Sequence, residues 1–276
     1  VNYADVLEIL DDLGVGLPQT KAMRADPDIQ QGIKNHDDAC DMHYDGFLMY
    51  DMITGYGVAF AADEAWTYKK GAPGASVIIQ GFGAVGASCA YCLDKMGYKV
   101  VGLADVSGLV YCKDGLDVKK LVATRKPKGE MDPAAFEPSY EILPNTRWVD
   151  MPCDILIPAA LEDVINKDNA DSIKASLVVE AANIPTTPEA DKILHKKGID
   201  VVIDFVANTG GVRIYEALVF RVVKDPVPQD IVNDTEYIVR KQTRRLLEEA
   251  ARTGRYTRDI ALELFAPDTF DTPDNW

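Results

Sequence analysis

The sequence predicts an α/β fold, a doubly wound Rossmann-type parallel sheet with helical N- and C-terminal extensions. Two observations support this prediction. Short, nearly continuously apolar segments alternate with helical stretches between residues 76 and 206, and a glycine-rich turn, GFGAVG, follows the first of them. This alternation is typical of βαβ units, in which helices cover both faces of a parallel sheet. We therefore expect a short N-terminal helical segment (1–53), a Rossmann domain (54–223) and a C-terminal helical extension (224–276).

Five segments are predicted to be strands because each is almost entirely apolar and rich in β-branched residues. In chain order they are SVIIQ (76–80), YKVVGLA (98–104), DILIPAA (154–160), SLVVEAA (176–182) and IDVVIDFV (199–206). Strands of this kind are covered by helices on both faces, so they predict a buried central sheet.

Helices are predicted around and between these strands. One, residues 54–71, runs into the first strand, and a second, residues 83–97, begins and ends with glycine. A third, residues 186–198, has Thr187 as its N-cap and Pro188 at its first helical position. Two more helices are expected at 210–223 and 228–254, and the polar stretch 123–145 is expected to wrap the sheet edge.

The composition argues against several classes of partner. Basic residues are outnumbered 29 to 44 and the formal net charge is −15, so no face is rich enough in Lys and Arg to bind nucleic acid or an anionic membrane. No apolar run approaches the roughly 20 residues of a membrane helix, and the acidic, amphipathic start is unlike a signal peptide. The five cysteines lack the spacing of a disulfide framework. We expect a cytoplasmic protein with a small-molecule substrate.

The glycine turn is the sharpest motif. Gly81, Gly83 and Gly86 match G-x-G-x-x-G directly after a predicted strand and at the start of a helix. In such turns the glycines allow a tight bend, close approach of a pyrophosphate, and close packing of helix on strand. Asp105 lies 19 residues after Gly86 at the end of the second strand, where an acid can bind ribose hydroxyls and repel a 2′-phosphate. The motif predicts NAD rather than NADP as the cofactor.

Six sequence blocks make residues 54–215 resemble the nucleotide-binding domain of the glutamate, leucine, phenylalanine and valine dehydrogenase family. They are TGYGVAFAADEA, IIQGFGAVG, VVGLADVSGLVYCKDGLD, CDILIPAALEDVIN, VVEAANIPTTPEADKIL and VVIDFVANTGGV. The resemblance implies a fold that binds NAD and hydride transfer between the α-carbon of an amino acid and the nicotinamide. An oligomer is expected for a separate reason, because the apolar surface left exposed by a missing domain must be covered.

The resemblance assigns roles position by position. Thr54 matches a hydroxyl near the nicotinamide carboxamide, and Asn183 and Asn208 match amides that face the nicotinamide and its ribose. Ala159 and Ala160 match the turn that passes over the cofactor. The cofactor-binding residues predicted from motif and resemblance together are Thr54, Gly81, Gly83, Ala84, Val85, Gly86, Asp105, Ala159, Ala160, Asn183 and Asn208. For the two asparagines, capping of their own loops is the alternative.

The sequence departs from the family before residue 54. Family members carry a whole N-terminal domain there, with glycine-flanked lysines that bind the substrate and an aspartate that moves protons. Here 53 residues stand in that place, and their lysines, Lys21 and Lys34, are not flanked by glycine. The chemistry is therefore rebuilt, or provided by a partner chain, or absent from a chain that only binds NAD.

The stretch KNHDDACDMHYDG, which ends shortly before Thr54, is the candidate for rebuilt chemistry. His36, Cys40 and His43 would share one face of a helix, a workable zinc set, but the family uses no metal and we predict none. His43 and Asp45 are the candidate acid and base, with Lys21, or alternatively Lys34, to hold a substrate carboxylate. A solvated acidic helix is the simpler interpretation.

Three hypotheses of function follow. The first is an NAD-dependent oxidoreductase that resembles amino-acid dehydrogenases and assembles as a homo-oligomer. The second is a non-catalytic NAD-binding or regulatory subunit of a heteromeric dehydrogenase, in which a separate chain supplies the catalytic domain. The third is a dehydrogenase with a rebuilt active site that acts on a substrate other than an amino acid.

Overall fold

The computed structural model describes residues 25–127 and 129–265. In chain order its helices and strands are α1 (Pro27–Cys40), β1 (His43–Tyr44), β2 (Phe47–Leu48), α2 (Met49–Tyr68), β3 (Ser76–Gln80), α3 (Ala84–Lys95), β4 (Lys99–Asp105), β5 (Gly108–Tyr111), α4 (Val118–Ala123), β6 (Glu141–Leu143), β7 (Ile155–Pro158), β8 (Leu177–Val179), α5 (Pro188–Lys196), β9 (Asp200–Val202), α6 (Asp204–Ala207), α7 (Gly210–Val219), α8 (Pro228–Thr253) and α9 (Thr257–Phe265). No helix in these ranges is long and apolar enough to span a membrane.

The central sheet has seven strands in the order β6-β5-β4-β3-β7-β8-β9. The five strands from β4 to β9 in that order are parallel, and the residues at their centres are buried on both faces. The chain leaves β3 in one direction to form β4 and returns to place β7 on its other side. This reversal between β3 and β7 is the switch point at which open α/β sheets bind ligands. The predicted fold class is confirmed.

Two details of the predicted sheet are wrong. The last strand ends at Val202, and the residues after it turn into the short helix α6, which begins with the buried Asp204. The sheet also has an antiparallel edge that the sequence analysis did not predict, because β5 and β6 are only four and three residues long. Strand β6 lies in the polar stretch 123–145, which does cover the sheet edge as expected.

Helix α2 begins at Met49 rather than at residue 54, so the boundary expected between residues 53 and 54 falls inside it. Most of the helix is buried, and small residues let its neighbours approach closely. A Cβ on Gly55 would lie 2.1 Å from the Oγ of Ser88 in α3, and a Cβ on Gly210 of α7 would lie 2.4 Å from the carbonyl oxygen of Ile53. Thr54 is thereby held between α3 and α7.

The histidine-rich stretch is not one helical face. Helix α1 ends at Cys40, and His43 belongs to β1, the first strand of a hairpin with β2. His36 Nε2 lies 3.5 Å from Cys40 Sγ, so only these two of the three predicted neighbours come together. The predicted i, i+4, i+7 face is wrong because the chain leaves the helix before His43. Lys21 lies outside the described residues.

The C-terminal extension packs against the Rossmann domain, with α8 on α2 and α9 on β9. Helix α8 lies against α2, where Arg240 bonds Asp63 at 2.6 Å and Arg244 forms an ion pair with Glu64. Helix α9 follows the left-handed Gly254 and contacts β9. Both predicted helices from 210 to 254 are present, with α7 ending at Val219 and α8 at Thr253.

Candidate functional site

Two clefts open at the carboxyl ends of the parallel strands, one on each side of the glycine turn. The first cleft has a volume of about 700 Å³ and lies over the ends of β3 and β4. The second cleft has a volume of about 530 Å³ and lies over the ends of β7 and β8 and the start of α7. Ala159, Ala160 and Leu161 line both clefts, so the two adjoin along the turn that follows β7.

Each glycine of the turn has a distinct physical task. Gly81 has φ of +99° and donates its N–H to the carbonyl of Ala104 at 2.7 Å, which fixes the bend after β3. A Cβ on Gly86 would lie 2.0 Å from the carbonyl oxygen of Gly81, so only glycine lets α3 pack on the strand end. A Cβ on Gly83 would meet no atom within 4 Å. Packing in the protein therefore explains Gly81 and Gly86 but leaves Gly83 free for a ligand.

Helix α3 begins at this turn and presents an anion site. Its N-cap is Gly83, which has no side chain to satisfy the first N–H groups of the helix. Gly83 lines the first cleft, and Val85, in the first turn of the helix, lines the second. Free N–H groups and the positive end of the helix dipole favour a phosphate at this position.

Asp105 lies at the end of β4 and lines the first cleft. Its Oδ1 accepts hydrogen bonds from Ser107 N at 2.7 Å and Ser107 Oγ at 2.5 Å, and its Oδ2 accepts one from Met131 N at 2.7 Å. The carboxylate is thus oriented by the turn that follows it, and Oδ2 retains a lone pair for a ribose hydroxyl.

The sequence analysis missed one wall of the first cleft. Gly129 packs on the glycine turn so closely that a Cβ there would lie 2.9 Å from Gly83 Cα. Its neighbour Glu130 also lines the cleft, as does the buried Trp148. These residues come from the polar stretch before β6 and from the segment after it, and no periodicity or motif marks them.

The second cleft brings together the predicted side chains from three parts of the chain. Thr54, Asn183 and Asn208 all line it. Asn208 Nδ2 donates to Asn183 Oδ1 at 2.9 Å and to the carbonyl of Ala181 at 3.2 Å, which ties the ends of β8 and β9 together. Within the described residues, Asn183 Nδ2 and Asn208 Oδ1 make no hydrogen bond. The pair therefore serves as a loop tether and still offers one donor and one acceptor to the cleft.

Residues 46–255 match the sequence profile of the family described as Glutamate/Leucine/Phenylalanine/Valine dehydrogenase. The chain belongs to this family. An NADP-specific glutamate dehydrogenase of Saccharolobus shibatae is 45% identical over 160 residues, which are 58% of this chain and 37% of that protein. An NAD-specific glutamate dehydrogenase of Staphylococcus aureus is 42% identical over 165 residues, 59% of this chain and 39% of that protein.

Solved glutamate dehydrogenases share the fold. The hetero-hexameric glutamate dehydrogenase from Thermus thermophilus, in its Leu-bound form, superposes with a TM-score of 0.68 at 27% identity, covering 79% of this chain and 51% of that one. The Plasmodium falciparum enzyme superposes with a TM-score of 0.66 at 22% identity, covering 77% and 48%. This member of the family spans about half of those structures and less than two fifths of the curated relatives.

The candidate acid and base lie away from both clefts. His43 is exposed on β1, and Asp45 occupies a left-handed turn with φ of +52°. Asp45 Oδ2 accepts hydrogen bonds from Tyr56 Oη at 2.6 Å and from Lys95 Nζ at 2.5 Å. Partial burial opposes the effect, but these hydrogen bonds hold the pKa of Asp45 below its usual value. The structure does not bring His43 or Asp45 to either of the two clefts.

In the described ranges no group of three His, Cys, Asp or Glu side chains is arranged so that it could hold a metal ion. His36 instead lies 3.2 Å from Asp37 and packs edge-on against the ring of Tyr215. Burial and the nearby acids raise the pKa of the Cys40 thiol to about 11.

A buried carboxyl group directly precedes Ala181, which lines the second cleft. Glu180 follows β8, is fully buried, and its Oε2 accepts a hydrogen bond from Asp204 N at 3.0 Å. Burial raises the pKa of Glu180 to about 7, although the guanidinium of Arg258 and the hydroxyl of Thr186 act in the opposite direction. Asp204 and Asp191 also face it and raise the pKa further.

The second and third glycines of the turn, Gly83 and Gly86, give a matched pair of variants. Gly83→Ala should leave the free energy of unfolding within about 1 kcal/mol, because the added methyl group meets open space, and should weaken NADH binding about tenfold or more. Gly86→Ala should destabilise the protein by about 1–3 kcal/mol, because the methyl group meets the Gly81 carbonyl. Urea denaturation and NADH titration separate the two effects. Undiminished NADH affinity in Gly83→Ala would contradict the proposed path of the pyrophosphate.

The pKa of Glu180 predicts a pH dependence of stability. Since its pKa is about 7 in the folded protein and 4.5 ordinarily, its stabilising contribution is complete below pH 4.5 and is lost as the pH rises through 7. Relative to Glu180→Gln, which does not titrate, the protein should lose up to about 3 kcal/mol of unfolding free energy between pH 4.5 and 8. Denaturation curves at several pH values test this; a constant difference between the two proteins would refute it.

Proposed function

We propose that this chain is the nucleotide-binding part of an NAD-dependent dehydrogenase of the amino-acid dehydrogenase type. The observation that carries the proposal is the adjoining pair of clefts on either side of a glycine turn at the switch point. Adenosine would occupy the first cleft beside Asp105, and the pyrophosphate would lie over Gly83 and the start of α3. The nicotinamide would enter the second cleft between Thr54 and the two asparagines.

Asp105 favours NAD over NADP. Its carboxylate lines the first cleft, and a negative charge there would repel the 2′-phosphate of NADP. The two curated relatives differ in this respect, since one is described as NADP-specific and the other as NAD-specific. The sequence RKPK at 125–128, which immediately precedes Gly129, contains three basic residues and is the feature that favours NADP as the alternative.

The bound dinucleotide would supply the hydride chemistry between nicotinamide C4 and the α-carbon of an amino acid. The chain's own residues would orient it: Thr54 and the free amide groups of Asn183 and Asn208 offer hydrogen bonds to a carboxamide and a ribose. The strand ends and the turn at Ala159 and Ala160 line this cleft with apolar groups that would exclude water from one face of the ring.

Groups that recognise the amino acid must come from elsewhere. Among the described residues that line the second cleft, Glu162 is the only ionisable one, and it would repel a substrate carboxylate. We infer that cations from another part of the protein or from a partner chain close this cleft. The positions of His43 and Asp45 weigh against a rebuilt active site. The hetero-hexameric state of the Thermus thermophilus relative favours, as a second candidate, a subunit that binds NAD and depends on another chain for catalysis.

Oligomerisation and a cytoplasmic location are part of the same proposal. The cysteines at 40, 89, 92, 112 and 153 are free thiols, in keeping with a reducing compartment. The charge of −15 makes nucleic acid and anionic lipid poor partners.

Nucleotide titrations test the proposal. The chain alone should bind NADH about tenfold or more tightly than NADPH, and Asp105→Asn should reduce this ratio because the repulsive charge is removed. Asp114→Asn, an exposed acid that lines neither cleft, is the matched control and should leave the ratio unchanged. Binding is measured by nicotinamide fluorescence, and NAD reduction is then screened across amino, hydroxy and keto acids.

The outcomes separate the candidates. Turnover by the chain alone would contradict the need for another catalytic wall. Binding without turnover supports it, and a preference for NADPH would contradict the role given to Asp105. The absence of binding to either nucleotide would overturn the proposed function.

A further inference from the structure

Four charged side chains meet beyond the ends of β8 and β9, where helix α9 packs against β9. Arg258 Nη2 donates to Glu180 Oε1 at 2.6 Å, and Arg258 Nε bonds Asp191. Asp204 Oδ1 lies 3.8 Å from Nη1 of the same guanidinium. One arginine of the C-terminal helix therefore faces carboxylates from the end of β8, from α5 and from α6.

A continuous set of hydrogen bonds leads from this cluster to the loop of Asn183. Glu180 Oε2 accepts from Asp204 N at 3.0 Å, and Asp204 Oδ2 accepts from Ile184 N at 2.7 Å. Ile184 has φ of +42°, a conformation that a β-branched residue adopts only when its surroundings hold it there. The Asp204 carboxylate thus fixes the backbone directly after Asn183.

The same cluster holds the loop of Asn208. The carbonyl of Asp204 accepts from Asn208 N at 2.7 Å, and Asn208 Nδ2 donates to Asn183 Oδ1 at 2.9 Å. Both asparagines that line the second cleft are therefore connected to one buried aspartate. The position of that aspartate depends in turn on Glu180, to which it donates its N–H.

Arg258 is the one cation that the described residues place within ion-pair distance of Glu180. Glu180 is fully buried, so removal of the guanidinium would leave its carboxylate without a compensating charge. The carboxylate would then take up a proton or move toward water. Either response changes the Glu180 oxygen that accepts the hydrogen bond from Asp204 N. Asp204 would then shift, and the loops that carry Asn183 and Asn208 would shift with it.

Arg258 is not accounted for by the family features described above. It lies beyond residue 255, where the match to the family profile ends, and in none of the six sequence blocks. Arg255 lies just before α9, and its guanidinium pairs with Glu263 of that helix at the surface. The two arginines are three residues apart, yet only Arg258 faces the strand ends.

We propose that Arg258 is a positioning residue for the nicotinamide half of the bound dinucleotide: through Glu180 and Asp204 it sets the two loops that carry Asn183 and Asn208. The inference rests on the proposed function, because it deepens the account of the same site. It makes the C-terminal helix part of the cofactor site without any contact to the cofactor. The adenosine half lies over β3 and β4 and is independent of this cluster.

Two probes distinguish positioning from general stabilisation. ADP-ribose occupies the first cleft but lacks nicotinamide, whereas NADH occupies both clefts. In Arg258→Met, NADH affinity should fall about tenfold or more while ADP-ribose affinity stays within about twofold. Arg255→Gln, which removes an arginine three residues earlier that pairs with Glu263 at the surface, is the matched control and should change neither affinity.

A conservative variant keeps the test decisive if Arg258→Met does not fold. In Arg258→Lys the charge that Glu180 needs remains, but an ammonium group lacks the planar fork that reaches Glu180, Asp191 and Asp204 together. This variant should fold, bind ADP-ribose normally and lose NADH affinity by a smaller factor, about threefold.

The outcomes are separable from those of the proposed function. Equal losses of ADP-ribose and NADH affinity in Arg258→Lys, or no loss of either in both Arg258 variants, would overturn the positioning role alone. If the unsubstituted chain binds neither probe, the proposed function fails and the inference fails with it. A selective loss of NADH affinity that Arg258→Lys partly restores supports the inference.

Discussion

The close packing of α3 on the end of β3 is the contact from which the rest of the site is built. At Gly86 the helix lies so near the Gly81 carbonyl that a Cβ would be 2.0 Å from its oxygen. A second glycine contact, at Gly55, sets α2 against α3, and a third, at Gly210, sets α7 against α2. These three backbone contacts in succession carry Thr54 and the start of α7 to the same crevice as the glycine turn.

Charged side chains extend this arrangement outward. Although acidic residues outnumber basic ones 44 to 29, several arginines are used where helices join. Arg213 of α7 bonds Asp234 of α8 through two of its nitrogens, at 2.6 and 2.8 Å, and Arg240 of α8 bonds Asp63 of α2 at 2.6 Å. A two-nitrogen arginine–carboxylate pair, such as that of Arg213 with Asp234, adds geometric specificity to the contact between the helices that it joins. Helix α8 is thus oriented by α2 and α7, the two helices that contribute Thr54 and Gly211 to the second cleft.

Short sequence patterns predict most of the fold and, at the site, the glycine turn and Asp105 of the first cleft. The five parallel strands and the glycine turn are recognisable because burial and backbone geometry there are set by adjacent residues. The resemblance extends this to Thr54, Asn183 and Asn208, which the structure does bring to one cleft. Whether these residues bind the cofactor stays a prediction.

The remainder depends on contacts between distant parts of the chain, and no short pattern reveals such contacts. Gly129 reaches Gly83 across 46 residues, and Arg258 reaches Glu180 across 78. His43 fails as a helical partner of Cys40 for a related reason, because the hairpin that removes it is fixed by its pairing with Leu48. Periodicity describes faces of single elements, so it could not foresee these three outcomes.

The most direct test of the account is a crystal structure of this chain grown with NADH. The account predicts density for the adenosine ribose beside Asp105, for the pyrophosphate over Gly83, and for the nicotinamide between Thr54 and Asn208. A dinucleotide bound in any other orientation, or in a cleft that does not include the glycine turn, would contradict it.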